Sequence, residues 1–274
     1  MDILQYTFFQ NALIAILLMS IVTAFIGTYI VTRRMTFIAG GITHASFGGL
    51  GIGYFAGISP TLSAAIFAIL SALGIEHLSH RGNIRPDSAI AVFWALGMAI
   101  GIIFIYLTPG YTPGLTEFLF GNILTITHTD LITFAAFTFP ALLFFIIFYK
   151  PILYAAFDGD FARTRGIKVD TINTCMTLLI ALAIVLSIQL IGIMLLISVL
   201  TLPQIIAENF THKFSNLILL SGAICLLASL TGLIISTMIA IPTGAGIVVT
   251  LAVIYVIAHC IKSMLQPHTS DITQ

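Results

Sequence analysis

His44 is the side chain whose chemistry stands out first. It lies in Ala39-Gly40-Gly41-Ile42-Thr43-His44-Ala45-Ser46, an apolar and glycine-rich run with no charge beside it. Histidine is the commonest protein ligand for a metal ion. A polar group in so apolar a run should face a bundle interior rather than lipid. Gly40, His44 and Gly48 fall on one helical stripe, and glycines on either side of an imidazole leave room for an ion. The alternative is a histidine that hydrogen-bonds a neighbouring helix. Beside that stripe, Gly41, Ala45, Gly49, Gly53 and Gly57 recur at four-residue spacing. A face that flat lets another backbone come close, so packing is the favoured role for these glycines.

Few other polar groups sit among apolar residues. Gln189, Gln204 and Glu208 lie in one late stretch. Gln204 follows Pro203, and a proline removes an amide donor and frees a carbonyl one turn back. That pattern fits a broken helix beside a pathway and fits a structural kink equally well. Asp87 follows Pro86, the usual place for an acid that caps a helix start.

A different chemistry marks Phe157-Asp158-Gly159-Asp160-Phe161-Ala162-Arg163-Thr164-Arg165-Gly166. Both charge signs and two aromatics alternate there. Asp158 or Asp160 can cap a short helix and Gly166 can end it. The expected product is a compact amphipathic helix within a loop from Tyr154 to Asp170. Its aromatics suit either docking to a partner or anchoring at a membrane surface.

Composition says what must hold these residues in place. Apolar residues make up 59% of the chain and charged residues only 7%, against about a quarter charged in a soluble domain. The solvent is therefore mostly lipid. The net charge is zero, so nothing points to nucleic acid. The three cysteines stand apart in apolar runs and read as packing residues. The first apolar run has Asp2 and no cation before it, so it reads as a span and not as a signal peptide.

Runs free of Asp, Glu, Lys and Arg give the spans. Ile3 to Thr32 supplies one. Met35 to Ile75 is long enough for two, turning at Gly57-Ile58-Ser59-Pro60. Ser88 to Leu107 and Leu131 to Tyr149 supply one each. Thr171 to Ala207 splits into a hairpin near Ser187 to Gly192, and Phe214 to Ile261 into another between Ile239 and Gly246. The expected fold is all-α and polytopic, one transmembrane domain of about nine helices over residues 1–274, with its N-terminus outside and its C-terminus cytoplasmic. Threaded so, Arg33, Arg34, Arg81, Arg85, Lys150, Arg163, Arg165, Lys168, Lys213 and Lys262, the chain's ten cations, all face inside, as the positive-inside rule requires. The long outside segment, 108–130, carries an apolar stretch at 118–124 that is too short to span and is expected to lie at the outer interface.

Absences narrow the chemistry. No GxxxxGK[ST] loop is present, so this chain does not bind ATP by that device. Neither HExxH nor GxSxG occurs. Acids near the middle of several spans, the mark of proton-driven carriers, are nearly missing.

Several segments, in order, resemble the ABC permeases for zinc, manganese and related metals. They are Arg33-Arg34 followed by Gly41-Ile42-Thr43-His44-Ala45, then Asp87-Ser88-Ala89-Ile90-Ala91, then Leu119-Phe120-Gly121-Asn122. After these come the loop from Asp158 to Val169, Ile191-Gly192-Ile193-Met194-Leu195-Leu196 with Pro203, and Ala240-Ile241-Pro242-Thr243-Gly244-Ala245. The resemblance implies a permease subunit of an importer in a bacterial plasma membrane, not itself an enzyme. It implies a homodimer, a separate ATPase docked on Asp158, Asp160, Phe161, Arg163, Arg165 and Gly166, and an external metal-binding protein that delivers cargo. It implies no stably bound cofactor. His44 would be a metal ligand, and Thr43, Gly41, Gly49, Asp87 and Gln204 pathway or structural residues. One departure matters: the family usually has an aspartate four residues before the histidine, and here that position is Gly40. Another group then supplies the charge, or the ion passes hydrated, or the cargo differs. An ABC permease for a metal chelate and an ion-coupled secondary carrier are the rival readings.

Overall fold

The computed structural model describes residues 5–81, 84–110 and 123–265, and these are helical throughout, with short turns between helices. In chain order the helices are α1 (Thr7–Val22), α2 (Thr28–Thr32), α3 (Thr36–Ala56), α4 (Pro60–Arg81), α5 (Pro86–Leu107), α6 (His128–Ile147), α7 (Tyr149–Phe157), α8 (Gly159–Thr164), α9 (Val169–Glu208), α10 (Phe214–Ile239) and α11 (Thr243–Leu265). A π turn at Thr23–Gly27 joins α1 to α2, so the two form one continuous rod. Of the expected outer stretch, 118–122 lies outside the described residues; Ile123–Thr125 is a single 3₁₀ turn.

Seven helices among the described residues are long and apolar enough to cross a membrane. The expectation of nine exceeds that by two elements. One is α3, which has 21 residues; its length suffices, but its glycines, Thr43 and His44 make it less apolar. The other is Leu195–Glu208, an apolar arm of no more than 17 residues. Many large apolar side chains point outward, Tyr106, Leu219, Met238 and Met264 among them, as lipid-facing surfaces require.

α9 is not one straight helix. Gly192 breaks it with φ 75° and ψ 166°, backbone angles that glycine adopts without steric cost. Side-chain contacts show how sharp the break is. Tyr29 donates to Asn173 (3.4 Å) near the start of α9, and Gln204 near its end donates to the Thr23 carbonyl (2.7 Å). Along a straight helix Asn173 and Gln204 would stand about 46 Å apart, whereas Thr23 and Tyr29 are about 9 Å apart at ~1.5 Å per residue. Both pairs can form only if the chain folds back at Gly192. Gln189, just before the fold, reaches Thr61 at the start of α4. The turn expected between Ser187 and Gly192 therefore falls at the late edge of that window.

Two boundaries differ from the sequence expectation. α4 continues past Ile75 to Arg81, carrying Glu76 and His77 into the helix, because one charge at a membrane-end turn does not stop helical hydrogen bonding. The last turn is only Ala240 to Pro242. It starts with a left-handed Ala240 (φ 56°) and leaves Gly244 and Gly246 inside α11.

Candidate functional site

The glycines of α3 set its neighbours. A Cβ at Gly49 would stand 2.4 Å from the Ser63 carbonyl, and one at Gly53 2.8 Å from the Cα of Pro60. As 49 pairs with 63 and 53 with 60, α3 and α4 run antiparallel at backbone contact. On another side, Gly41 faces Ile90, Ala45 faces Gly97, and Gly51 faces Gly101. These numbers rise together, so α3 and α5 run parallel. Gly97 has no room for a Cβ, which would sit 2.5 Å from the Ala45 Cα. Gly41 and Gly49 are packing residues here, as the stripe suggested.

This register puts Trp94 of α5 against His44 of α3. Their rings stack with centroids 4.1 Å apart and planes 7° from parallel. His44 is half-buried. Its Nδ1 is buried with no hydrogen-bond partner. Trp94 is 39% exposed, so the pair opens on one side of the bundle. Thr43 is buried and donates to the Ala39 carbonyl (2.7 Å), which commits its hydroxyl to its own helix. Gly40 faces Ile197 on the short arm of α9, at ordinary contact distance for a Cβ (3.9 Å). The space opposite Gly40 is thus apolar on that side. Among the described residues no three of His, Cys, Asp and Glu gather as a metal cage.

Gln204 is fully buried, and it ties the short arm of α9 to the π turn through the Thr23 carbonyl. Gly27 makes the notch for it: a Cβ there would lie 2.3 Å from Gln204 Nε2. Asp87 is exposed in the first turn of α5, but the N-cap position belongs to Arg85 and no side chain caps it. The acid acts instead on the helix dipole, two residues in from the N-cap.

The loop from 154 to 170 folds as its residues dictate. Asp158 is the N-cap of α8 and accepts from the Phe161 amide (2.9 Å). Gly166, at φ 76°, ends it, with its amide bonded to the Arg163 carbonyl and the Ile167 amide to the Ala162 carbonyl. Arg163 bridges Asp160 (3.0 Å) and Asp170 (3.1 Å). Donating to the Asp170 carboxylate first, and also to that of Asp160, the guanidinium holds its proton more firmly than usual. Arg165 lies 5.2 Å from the Phe161 ring centre. Ala162 is buried while Phe157 and Phe161 stay exposed. One cation leads from this loop toward α3: Arg33, at the end of α2, donates to the Ala155 carbonyl of α7 (2.8 Å). A cavity of about 430 Å³ next to Phe157 gathers Arg34, Glu208 and His212.

Sequence reasoning missed two features. Trp94 went unremarked, although Gly97-Met98-Ala99-Ile100-Gly101 is a GxxxG signal of close helix approach. That signal marked α5 as the neighbour of a glycine-rich helix and so put its aromatic within reach of His44. The gathering of Arg34, Glu208 and His212 depends on the fold-back at Gly192 and has no local signal.

Comparison with known proteins extends these observations to the whole chain. An uncharacterised membrane protein of Synechocystis sp. is 35% identical over 255 residues, 93% of this chain and 91% of that one. The manganese transport system membrane protein MntC of Halalkalibacterium halodurans is 31% identical over 257 residues, 94% of this chain and 88% of that one. Among solved structures, PsaBC from Streptococcus pneumoniae in complex with a Fab superimposes with a TM-score of 0.83. It is 29% identical and covers 93% of this chain and 92% of that one. The family model described as ABC 3 transport family matches residues 5–262. Multi-pass, helical and matched nearly end to end, this chain belongs to the ABC 3 transport family.

Proposed function

We propose that this chain is the membrane-spanning permease subunit of an ATP-driven importer of divalent metal ions in a plasma membrane, with manganese the first cargo to test. The observation that carries the reading is His44. It sits in the glycine-walled helix α3, half-buried, with Nδ1 unbonded, in a chain whose relative of 31% identity is a manganese transport protein. A buried imidazole nitrogen without a hydrogen-bond partner inside a lipid-spanning bundle is costly unless it serves a passing ligand.

The rest of the reading follows from charge and shape. The chain crosses the membrane nine times, with α3 and the short arm of α9 as the two crossings that hydropathy alone understates. The N-terminus is outside, and all ten cations face the cytoplasm. A homodimer covers the open side of the His44 and Trp94 pair. An external binding protein delivers the ion, and a separate ATPase docks on α8 through Asp158, Asp160, Phe161, Arg163, Arg165 and Gly166. Arg33, bonded to Ala155, supplies a rigid link by which movement of α7 and α8 reaches the α2–α3 turn. Gly41, Thr43 and Gly49 hold α3 in place, and Gln204 locks the arm opposite Gly40.

The test is uptake of radioactive manganese into proteoliposomes holding the chain and its ATPase. ATP-dependent uptake that falls at least tenfold in His44→Ala is expected. Uptake by the chain alone, driven by an ion gradient, would make it a secondary carrier. The glycine at position 40 favours one rival cargo, a metal chelate, which brings its own anionic ligands. Uptake of a chelate with no response to free manganese, zinc or iron would select it.

A further inference from the structure

Trp94 faces a histidine that lacks the acidic partner expected at position 40. We propose that the Trp94 indole is the second wall of the ion site at His44, and that its electron-rich face replaces the missing carboxylate. This rests on His44 being an ion ligand.

The geometry is specific. The rings are 7° from parallel with centroids 4.1 Å apart, so the imidazole stacks on the indole face. When an imidazole nitrogen binds a divalent cation, electron density leaves the ring and the imidazole becomes partly cationic. The face of an indole carries negative charge density and is the strongest such partner among the aromatic side chains. Neutral imidazole gains little from that face, and metal-bound imidazole gains much more. The contact therefore discriminates in favour of the loaded site, as a carboxylate would, without burying a formal charge.

The arrangement is held by backbone and not by chance rotamers. Trp94 stands one turn before Gly97, and Gly97 lies against Ala45, the residue after His44. Gly48 touches the Gly97 carbonyl, where an added Cβ would be 2.9 Å away, and Gly51 meets Gly101 one turn further on. Three close backbone contacts in parallel register leave α5 no freedom to slide along α3. The indole is thus fixed over the imidazole, while its 39% exposure keeps the site open to an incoming ion.

The chain holds one tryptophan, which makes the test clean. The full-length chain in lipid nanodiscs is titrated with Mn²⁺ and with Co²⁺ while tryptophan emission is recorded, and affinity is measured separately by equilibrium dialysis of radioactive manganese. A saturable emission change is expected, and it should vanish in His44→Ala. Growth on fluorinated tryptophans then alters only position 94. One to four fluorines withdraw charge from the ring face with little change of shape, so folding is not at risk. Affinity for Mn²⁺ should fall stepwise with fluorination and, in Trp94→Leu, by roughly 2- to 30-fold, the range of a cation–π contact. Trp94→Phe should fall between the two. Equal affinity across the fluorinated series, with binding still lost in His44→Ala, would reduce Trp94 to packing and leave the ion ligand standing. Full affinity in His44→Ala would remove the ion from this site and overturn both readings.

Discussion

Gln204 and Gly27 illustrate how much depends on single residues in lipid. Gln204 satisfies the Thr23 carbonyl from a fully buried position. Losing such a bond inside a membrane protein costs only about 0.6 kcal/mol on average. Gly27→Ala is a different case. The new Cβ meets Gln204 Nε2 at 2.3 Å and the Leu200 carbonyl oxygen at 2.9 Å. The first can swing away, but the second is backbone, and overpacking of this kind costs about 1–3 kcal/mol. Gly27→Ala should therefore melt at a lower temperature than Gln204→Ala in a detergent thermal-shift assay. A Gln204→Ala chain that melted first would show the polar tie, and not the notch, to be the stronger constraint. At this scale the sequence was partly legible. His44 announced itself by residue type in an apolar run. Trp94 did not, because its partner is set by how two helices align, and hydrophobic periodicity carries no information about that alignment.

Helix α8 was the element most completely readable, because its start and stop are local. Asp158 caps and Gly166 terminates, as short-range hydrogen bonding demands. What local rules omit is the use of the helix. Its Arg163 pairs lie on the surface, where exposed ion pairs contribute about 0–1 kcal/mol. Reversing Arg163 and Arg165 to Glu should therefore leave the chain folded. Under the docking role it should release the ATPase or uncouple hydrolysis from uptake, as read by co-purification and by ATP consumed per ion. An intact, fully coupled complex would return α8 to a surface-anchoring role. The α9 hairpin was legible for a similar reason: Gly192 alone can take the angles of the fold. The reach of the arm beyond it was not, because Pro203 and Gln204 gave no sign that the helix would stay unbroken through both.

At the scale of the molecule, composition carried the all-helical, lipid-facing architecture. So few charges exclude a water-facing surface, and the exposed apolar side chains agree. Under the positive-inside rule, the ten cations predict a threading with the N-terminus outside. A cysteine at Lys213 should be labelled by an impermeant maleimide in opened membranes and not in intact cells. Labelling from outside intact cells would invert the threading and take the docking role of α8 with it.

The fold-back at Gly192 also bears on how the chain is made. A helix of no more than 17 residues reaches at most about 26 Å, short of the ~30 Å hydrocarbon slab. Lipid alone gives that arm a weak reason to stay. Its berth, the Thr23 carbonyl and the Gly27 notch, belongs to a segment that the ribosome finishes much earlier. The order of synthesis thus completes the first helix before the arm after Gly192 emerges, so the residues that receive Gln204 are made before it is.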